Sequence, residues 1–180
     1  MRTLPDWLAA GLDIVSVGLN PSPNSVRAGF PFATPRNRFW RALNASGLID
    51  EVLEPGPAAM QRLLERHRIG FTDVVKRPTP GAAQLRAADF RVWAPRLTGK
   101  LLEISPRLVW FHGKVAYREF LRHGGSGTAD WRADLDWGLQ PRRIGVSRVF
   151  VTPNPSPANA AYSLDDLIVC YRSLALLRRS

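Results

Sequence analysis

Cysteine and histidine are scarce in this sequence of 180 residues. Cys170 is the single cysteine, so an intrachain disulfide and a cysteine-rich cluster site are excluded, and the sequence fits a reducing compartment. The three histidines do not stand in metal-ligand spacing, and neither HExxH nor CxxC occurs. The sequence therefore predicts no metal site and gives no reason to expect a cofactor.

Long apolar runs are also missing. No uninterrupted apolar stretch approaches the roughly 20 residues that cross a bilayer. The first residues carry Asp6 and Asp13 and lack a signal-peptide core. We therefore expect a cytoplasmic protein without a membrane partner, nucleoid-associated if the source is bacterial. Because the chain has no low-complexity tract or fixed-period repeat, we expect a single domain over residues 1–180.

Acidic residues are few relative to basic ones. Lysine and arginine total 25 against 15 acidic residues, which gives a net charge of +10 and a pI near 11.1. Such a balance favours polyanionic partners, and nucleic acid is the leading class. A soluble protein from an arginine-rich proteome is the alternative. Several arginines stand close to predicted loops, among them Arg27, Arg36, Arg38 and Arg41.

Short apolar segments alternate with helical patterns along the chain. The strand-like segments are Ile14–Gly18, Ile69–Val75 and Leu108–Phe111, followed by a hairpin of 143–144 and 149–151 around Gly145. Helical patterns cover 37–47, 58–67, 87–104 with a kink or restart at Pro95, a segment from Gly113, and 163–178, and a glycine-rich connection lies at 124–127. This alternation predicts an α/β fold with a parallel sheet covered on both faces.

The same four residues, Asn-Pro-Ser-Pro, follow two of the predicted strands, at 20–23 and at 154–157. Ligands of parallel α/β sheets bind beyond the carboxyl ends of the strands. Two such loops at one edge would face each other across a cleft. The alternative is that both are only turns, because Asn-Pro and Ser-Pro favour turns. The repetition, together with the basic charge, favours a site.

Several short motifs occur in order: GLNP at 18–21, GFPF at 29–32, NRFW at 37–40, GFTDVVxRPT at 70–79, GK at 113–114 and NPS at 154–156. With them the chain resembles, from about residue 13 to 175, the mismatch-specific uracil/thymine-DNA glycosylases, a branch of the uracil-DNA glycosylase superfamily. The resemblance implies a three-layer α/β/α sandwich around a four-stranded, mainly parallel sheet. It also implies a monomeric repair enzyme that flips a mispaired or damaged base out of double-stranded DNA and hydrolyses its N-glycosidic bond.

The resemblance assigns roles to residues of the first motifs. Asn20 would hold the attacking water as the catalytic residue, with an Asx-turn cap as the structural alternative. Phe32 would stack on the flipped base, with a plain core residue as the alternative. Ser25 would lie near the base and the water, or would be a surface hydroxyl. Gly18 belongs to the same base-binding group.

The late motif would enter the duplex and fill the space that the flipped base leaves. Asn154 would lie by the base, and Ser156 would contact the DNA. Relatives continue with glycine, a bulky wedge and a basic residue, whereas Pro157, Ala158 and Asn159 stand here. A small Ala158 is a poor plug, and the run is more similar to the hypoxanthine-DNA glycosylase branch. Hypoxanthine or another deaminated base is therefore the alternative substrate.

Asp73 is a second departure, because relatives usually carry asparagine or lysine at this position. Its carboxylate would accept a hydrogen bond from an N–H of the base and so select the base, or would activate the water. An ionised carboxylate beside a departing anion hinders loss of the base, which favours base selection. The alternative is an aspartate that serves a turn or a helix dipole.

Two basic residues complete the candidate set. Lys114 and Arg27 would contact DNA phosphates, with solvated side chains as the alternative. No G-x-x-x-x-G precedes Lys114, which excludes a nucleotide P-loop. The motifs offer no lysine nucleophile, so we predict a monofunctional enzyme. A non-catalytic DNA-binding module and a hydrolase of free nucleosides are the alternatives from other classes.

Overall fold

A computed structural model describes residues 1–125 and 131–180 of the chain. In chain order its helices and strands are β1 (Ile14–Gly18), α1 (Pro23–Ala28), α2 (Phe39–Ser46), α3 (Pro57–Glu65), β2 (Ile69–Asp73), α4 (Ala87–Ile104), β3 (Leu108–His112), α5 (Lys114–His123), β4 (Gly138–Ile144), β5 (Ser147–Thr152) and α6 (Leu164–Arg179). The predicted restart at Pro95 is wrong, because α4 continues through it. The predicted glycine-rich connection lies partly outside the described residues.

The strands form one sheet in the order β2-β1-β3-β5-β4. The first four strands are parallel, and β4 runs antiparallel to β5. The sheet therefore has five strands rather than the four that the resemblance implied. The additional strand belongs to the predicted hairpin, whose short turn allows only antiparallel pairing. Gly145 in this turn has a φ of 56°, a left-handed conformation that glycine adopts without a Cβ clash.

Helices cover both faces of the sheet, because successive side chains of each strand point to opposite faces. Val15 and Phe111 pack against α4 and α5 on one face. Ile14 and Trp110 pack against α2, α3 and α6 on the other. The predicted three-layer α/β/α arrangement is thus confirmed. In the two described ranges no helix combines the length and the apolarity that a bilayer span requires.

The carboxyl ends of four parallel strands meet at one edge of this sheet. The chain leaves β1 for β2 on one side and later adds β3 on the other side of β1. Such a change of direction opens a crevice at the strand ends. On the face covered by α2 and α6, the strand residues become polar toward this edge, at Ser16, Asp73, His112 and Thr152.

Candidate active site

A cavity of about 450 Å³ lies at this edge, between the two Asn-Pro-Ser-Pro loops. The predicted site residues that line it are Asn20, Phe32, Ser25, Asp73, Gly18, Asn154, Ser156, Ala158 and Asn159. The two loops thus face one cavity, as the repetition predicted. Pro157, Lys114 and Arg27 do not line it.

The side-chain amide of Asn20 is held in one orientation. Its Nδ2 donates to the Oγ1 of Thr79 at 2.7 Å and to the carbonyl oxygen of Arg77 at 3.0 Å. The Thr79 hydroxyl in turn donates to Gly81 at 2.9 Å, so it serves Asn20 as an acceptor. Because the two strong bonds of the amide come from its nitrogen, the Oδ1 is the atom left to accept a hydrogen bond from a ligand.

Phe32 stacks on a core ring and also borders the cavity. Its ring lies parallel to that of Phe39, with the centroids 4.1 Å apart, and its edge contacts include His112 at 5.0 Å. The residue has a φ of 58°, which is unusual for an aromatic residue and costs on the order of 1–3 kcal/mol. Packing around Phe32 therefore holds the ring against Phe39 in spite of backbone strain. The residue is half-buried, so it packs against the core and also borders the cavity.

Ser25 belongs to a group of hydroxyls beneath the first loop. It lies on α1 and is only 3% exposed, so the alternative of a surface hydroxyl is wrong. The Ser22 hydroxyl, which caps α1, donates to the Ser25 Oγ at 3.1 Å and lies 3.2 Å from the Oγ1 of Thr34. These contacts tie α1 to the segment that follows Phe32.

Asp73 lies at the end of β2, directly beside Gly18 of β1. A Cβ at Gly18 would lie 2.6 Å from the Oδ1 of Asp73, so any larger residue here would displace this carboxylate from its present position. Burial raises the pKa of Asp73 to about 6; the Lys76 ammonium opposes this rise and the Asp6 carboxylate adds to it. The carboxyl group therefore changes charge close to neutral pH.

Asp6, which sequence reasoning did not select, binds Lys76, the lysine beside Asp73. It accepts hydrogen bonds from Lys76 at 2.8 Å, Lys100 at 2.5 Å and Thr72 at 2.7 Å. Burial alone would raise the pKa of Asp6, but the bonds from the two lysines and Thr72 outweigh it, and the pKa lies below its ordinary value. Lys76 reaches Asp73 only at 3.5 Å. The buried ammonium group is thus directed mainly to Asp6.

His112 ends β3 and is fully buried while it borders the cavity. Its Nε2 lies 2.7 Å from the Ser16 Oγ, so the imidazole is both packed in the core and hydrogen-bonded to β1. Burial lowers the pKa of His112 to about 3, which keeps the imidazole neutral at physiological pH. It therefore supplies no positive charge to a departing anion.

The late loop is folded onto itself by the side chains of two asparagines. The Asn154 Oδ1 accepts from the Ser156 N–H at 2.9 Å, and the Asn159 Nδ2 donates to the Asn154 carbonyl at 3.0 Å. Pro157 and Ala158 are exposed at the tip.

Lys114, which is half-buried, and Arg27, which is exposed, both lie outside the cavity. Lys114 is the first residue of α5, and its Nζ lies 4.6 Å from the centroid of the Trp137 ring. Arg27 is exposed on α1 and donates to Asn24. Neither side chain reaches the residues that border the cavity.

One group of possible metal ligands occurs in the described part of the chain, at the amino ends of the strands. Ligand atoms of Asp50, Glu51 and His67 lie within 4.8 Å of one another. Arg62 and Arg66 already form salt bridges with the two carboxylates at 2.9 Å. The group is not part of the cavity, and both of its carboxylates are engaged in salt bridges with arginines.

Comparison with known proteins agrees with this arrangement. The family description "Uracil DNA glycosylase superfamily" matches residues 5–175. The chain belongs to this superfamily of DNA-repair glycosylases. Its fold is similar to the solution NMR structure of a presumed uracil DNA glycosylase from Methanosarcina acetivorans, with a TM-score of 0.60, 24% identity and coverage of 96% of this chain and 97% of that one.

Proposed function

We propose that this protein is a monofunctional DNA glycosylase that removes a flipped uracil mispaired with guanine and leaves an abasic site. Thymine or another damaged base is a further candidate within the same pocket. The observation that carries the proposal is that the Asn20 amide and the Phe32 ring border one cavity between the two Asn-Pro-Ser-Pro loops. An amide that orients water and a ring that stacks on a base are the two parts that hydrolysis of an extruded nucleotide needs.

Asn20 orients the water through its Oδ1, because its nitrogen is bound to the loop at 77–79. An amide is a poor base, so the water gains little nucleophilicity and the bond to the sugar must break largely by dissociation. The neutral imidazole of His112 adds no positive charge for the departing base. We therefore expect a slow enzyme.

Asp73 selects the base in this proposal. Its ionised carboxylate accepts from an N–H at the edge of the base, and its pKa of about 6 makes selection sensitive to pH near neutrality. A water-activating role is the alternative for the same group. Gly18 serves base binding by leaving room for this carboxylate.

Double-stranded DNA is the proposed partner of a monomer. The net charge of +10 favours binding to phosphates, with Lys114 and Arg27 as candidate contacts outside the cavity. The tip at Pro157 and Ala158, flanked by Ser156 and Asn159, is the segment that enters the duplex. A hydrolase of free nucleosides would not need such a charge.

The cavity lining supports the proposal of a monofunctional reaction. In the described parts of the chain no lysine borders the cavity. Lys76, three residues after the lining residue Asp73, donates its hydrogen bond to Asp6. A lyase reaction through a Schiff base needs an amine at the sugar. The proposed enzyme therefore uses water as its nucleophile.

Hypoxanthine is the second candidate base. The sequence Pro157-Ala158-Asn159 favours it, and a cavity of about 450 Å³ admits a bicyclic base as well as a pyrimidine. A non-catalytic DNA-binding module is less favoured, because Asn20 and Phe32 both border the cavity.

The test uses end-labelled duplexes with uracil, thymine, hypoxanthine or ethenocytosine opposite each base, followed by alkali. Asn20→Ala should lower the single-turnover rate at least about a hundredfold, because a misplaced water loses most of its reactivity. Its affinity for duplex DNA should stay within about twofold. Asn24→Ala, the same change on α1 outside the cavity, is the matched control. Equal cleavage by Asn20→Ala and the control would remove Asn20 from the mechanism.

A further inference from the structure

Arg38 lies just before α2 and binds the segment 155–162, which includes the tip of the late loop. Its side chain donates to backbone carbonyl oxygens of this segment, at 3.3 Å to Pro155, 2.8 Å to Ser156, 2.8 Å to Asn159, and to Tyr162. Its own backbone N–H donates to the Pro155 carbonyl at 3.2 Å. One arginine thus satisfies acceptors spread over the whole segment.

The neighbours of Arg38 belong to the base pocket. Phe39 follows it and stacks on Phe32 at 4.1 Å. Asn37 precedes it, borders the cavity and accepts from the Phe39 N–H at 2.9 Å. The three residues 37–39 therefore join the ring that would hold the base to the loop that would enter the duplex.

The geometry requires a guanidinium group. Arginine presents five N–H donors in a planar fork, whereas a lysine ammonium is a compact group with three. Carbonyl oxygens of a loop outside any strand or helix need such donors, since a buried acceptor without a partner is costly. Arg38 is half-buried, so these bonds are partly shielded from water.

We propose that Arg38 is a positioning residue that holds the segment 155–162 in the shape that replaces an extruded base, an inference that rests on the proposed function. Ala158 at the tip is too small to fill the helix by its own side chain. The backbone of the loop must then keep its place against the closing base stack. Arg38 supplies that rigidity through the carbonyl oxygens.

The test compares Arg38→Met and Arg38→Lys on uracil paired with adenine, mispaired with guanine, and opposite an abasic analogue. Extrusion is most costly from the stable pair and least costly opposite the abasic site. Both variants should lose at least about tenfold in single-turnover rate on the paired substrates and less than about threefold opposite the abasic analogue. Arg41→Met is the control, because Arg41 is exposed on α2 and loses the same charge. An equal loss on all three substrates, or no loss, would overturn the inference.

Hydrogen exchange tests the positioning without catalysis. The backbone amides of 156–162 should exchange faster in Arg38→Met than in Arg41→Met, while those of β1 should not change. Unchanged exchange in 156–162 overturns the inference even if the wild type cleaves uracil. If the wild type cleaves none of the substrates, the proposed function is overturned. The proposal that the segment 155–162 replaces an extruded base then falls too, whatever the hydrogen-exchange rates show.

Discussion

Asp73→Asn should stabilise the fold at neutral pH while it changes which base is accepted. The carboxyl group of Asp73 is 11% exposed and has a folded-state pKa of about 6, against an ordinary value of 3.8. Folding therefore favours the protonated form. Once the pH rises above the folded pKa, the protein must bury a carboxylate whose nearest cation, Lys76, is 3.5 Å away and shared with Asp6.

The sign and size follow from linkage. Because the folded pKa is the higher one, stability is fully present below pH 3.8 and is lost as the pH rises through about 6. A difference of about 2 pKa units corresponds to at most about 3 kcal/mol, at about 1.4 kcal/mol for each unit. For a chain of this size that is roughly 6–12 °C in melting temperature. The asparagine variant lacks this dependence.

The assay is thermal or urea unfolding of the wild type, Asp73→Asn and Glu54→Gln between pH 4 and pH 8. Glu54 is exposed and serves as the control for loss of a carboxylate. The gain of Asp73→Asn over the wild type should grow from under about 1 kcal/mol at pH 4 to its full value above pH 7. A gain that is the same at both ends would refute the buried titration of Asp73. In the cleavage assay the same variant should change which base is accepted.

Two further substitutions test the surroundings of the cavity. Asp6→Asn should release Lys76 toward Asp73 and lower the pKa of that carboxyl, so that the pH at which base selectivity changes moves to more acidic values; an unmoved profile would contradict the role given to Asp6. Phe32→Ala should weaken binding of a flipped uracil about tenfold or more by loss of stacking, while Phe32→Tyr keeps most of it. This comparison is made from KM and the single-turnover rate, and equal values for Phe32→Ala and the wild type would return Phe32 to the core.

The strand ends that border the cavity could be predicted from the sequence, because they follow from local patterns of residues. Apolar runs that stop at Gly18 and at Thr152, each with the same loop after it, predict two loops at one edge of a parallel sheet. The alternation of strand side chains explains why Ser16 and Asp73 share a face, although only Asp73 was selected. A polar residue inside an apolar strand was the signal for Ser16.

The long-range contacts had no such signal. Asp6 and Lys76 are 70 residues apart, and they meet because Trp7 pairs with Phe71 at the edge of β2. Arg38 was noted as one of several basic residues and within the NRFW motif, but it received no role, since a guanidinium bound to carbonyl oxygens leaves no pattern in the sequence. The predicted hairpin already contained the strand that makes five, but the resemblance implied a sheet of only four strands.

The ionisable groups at the cavity define what kind of catalyst this site is. Among the lining residues in the described ranges, Asp73 and His112 are the only ones with ionisable side chains, and burial moves both toward their neutral forms. No arginine or lysine among those residues faces the place where a base would leave as an anion. The rate must then depend on how well the base itself carries negative charge, and on how firmly the loops hold it in position. In such a site, we expect residues that position the loops, such as Arg38 in the role proposed above, to contribute more to the rate than an acid or a base does.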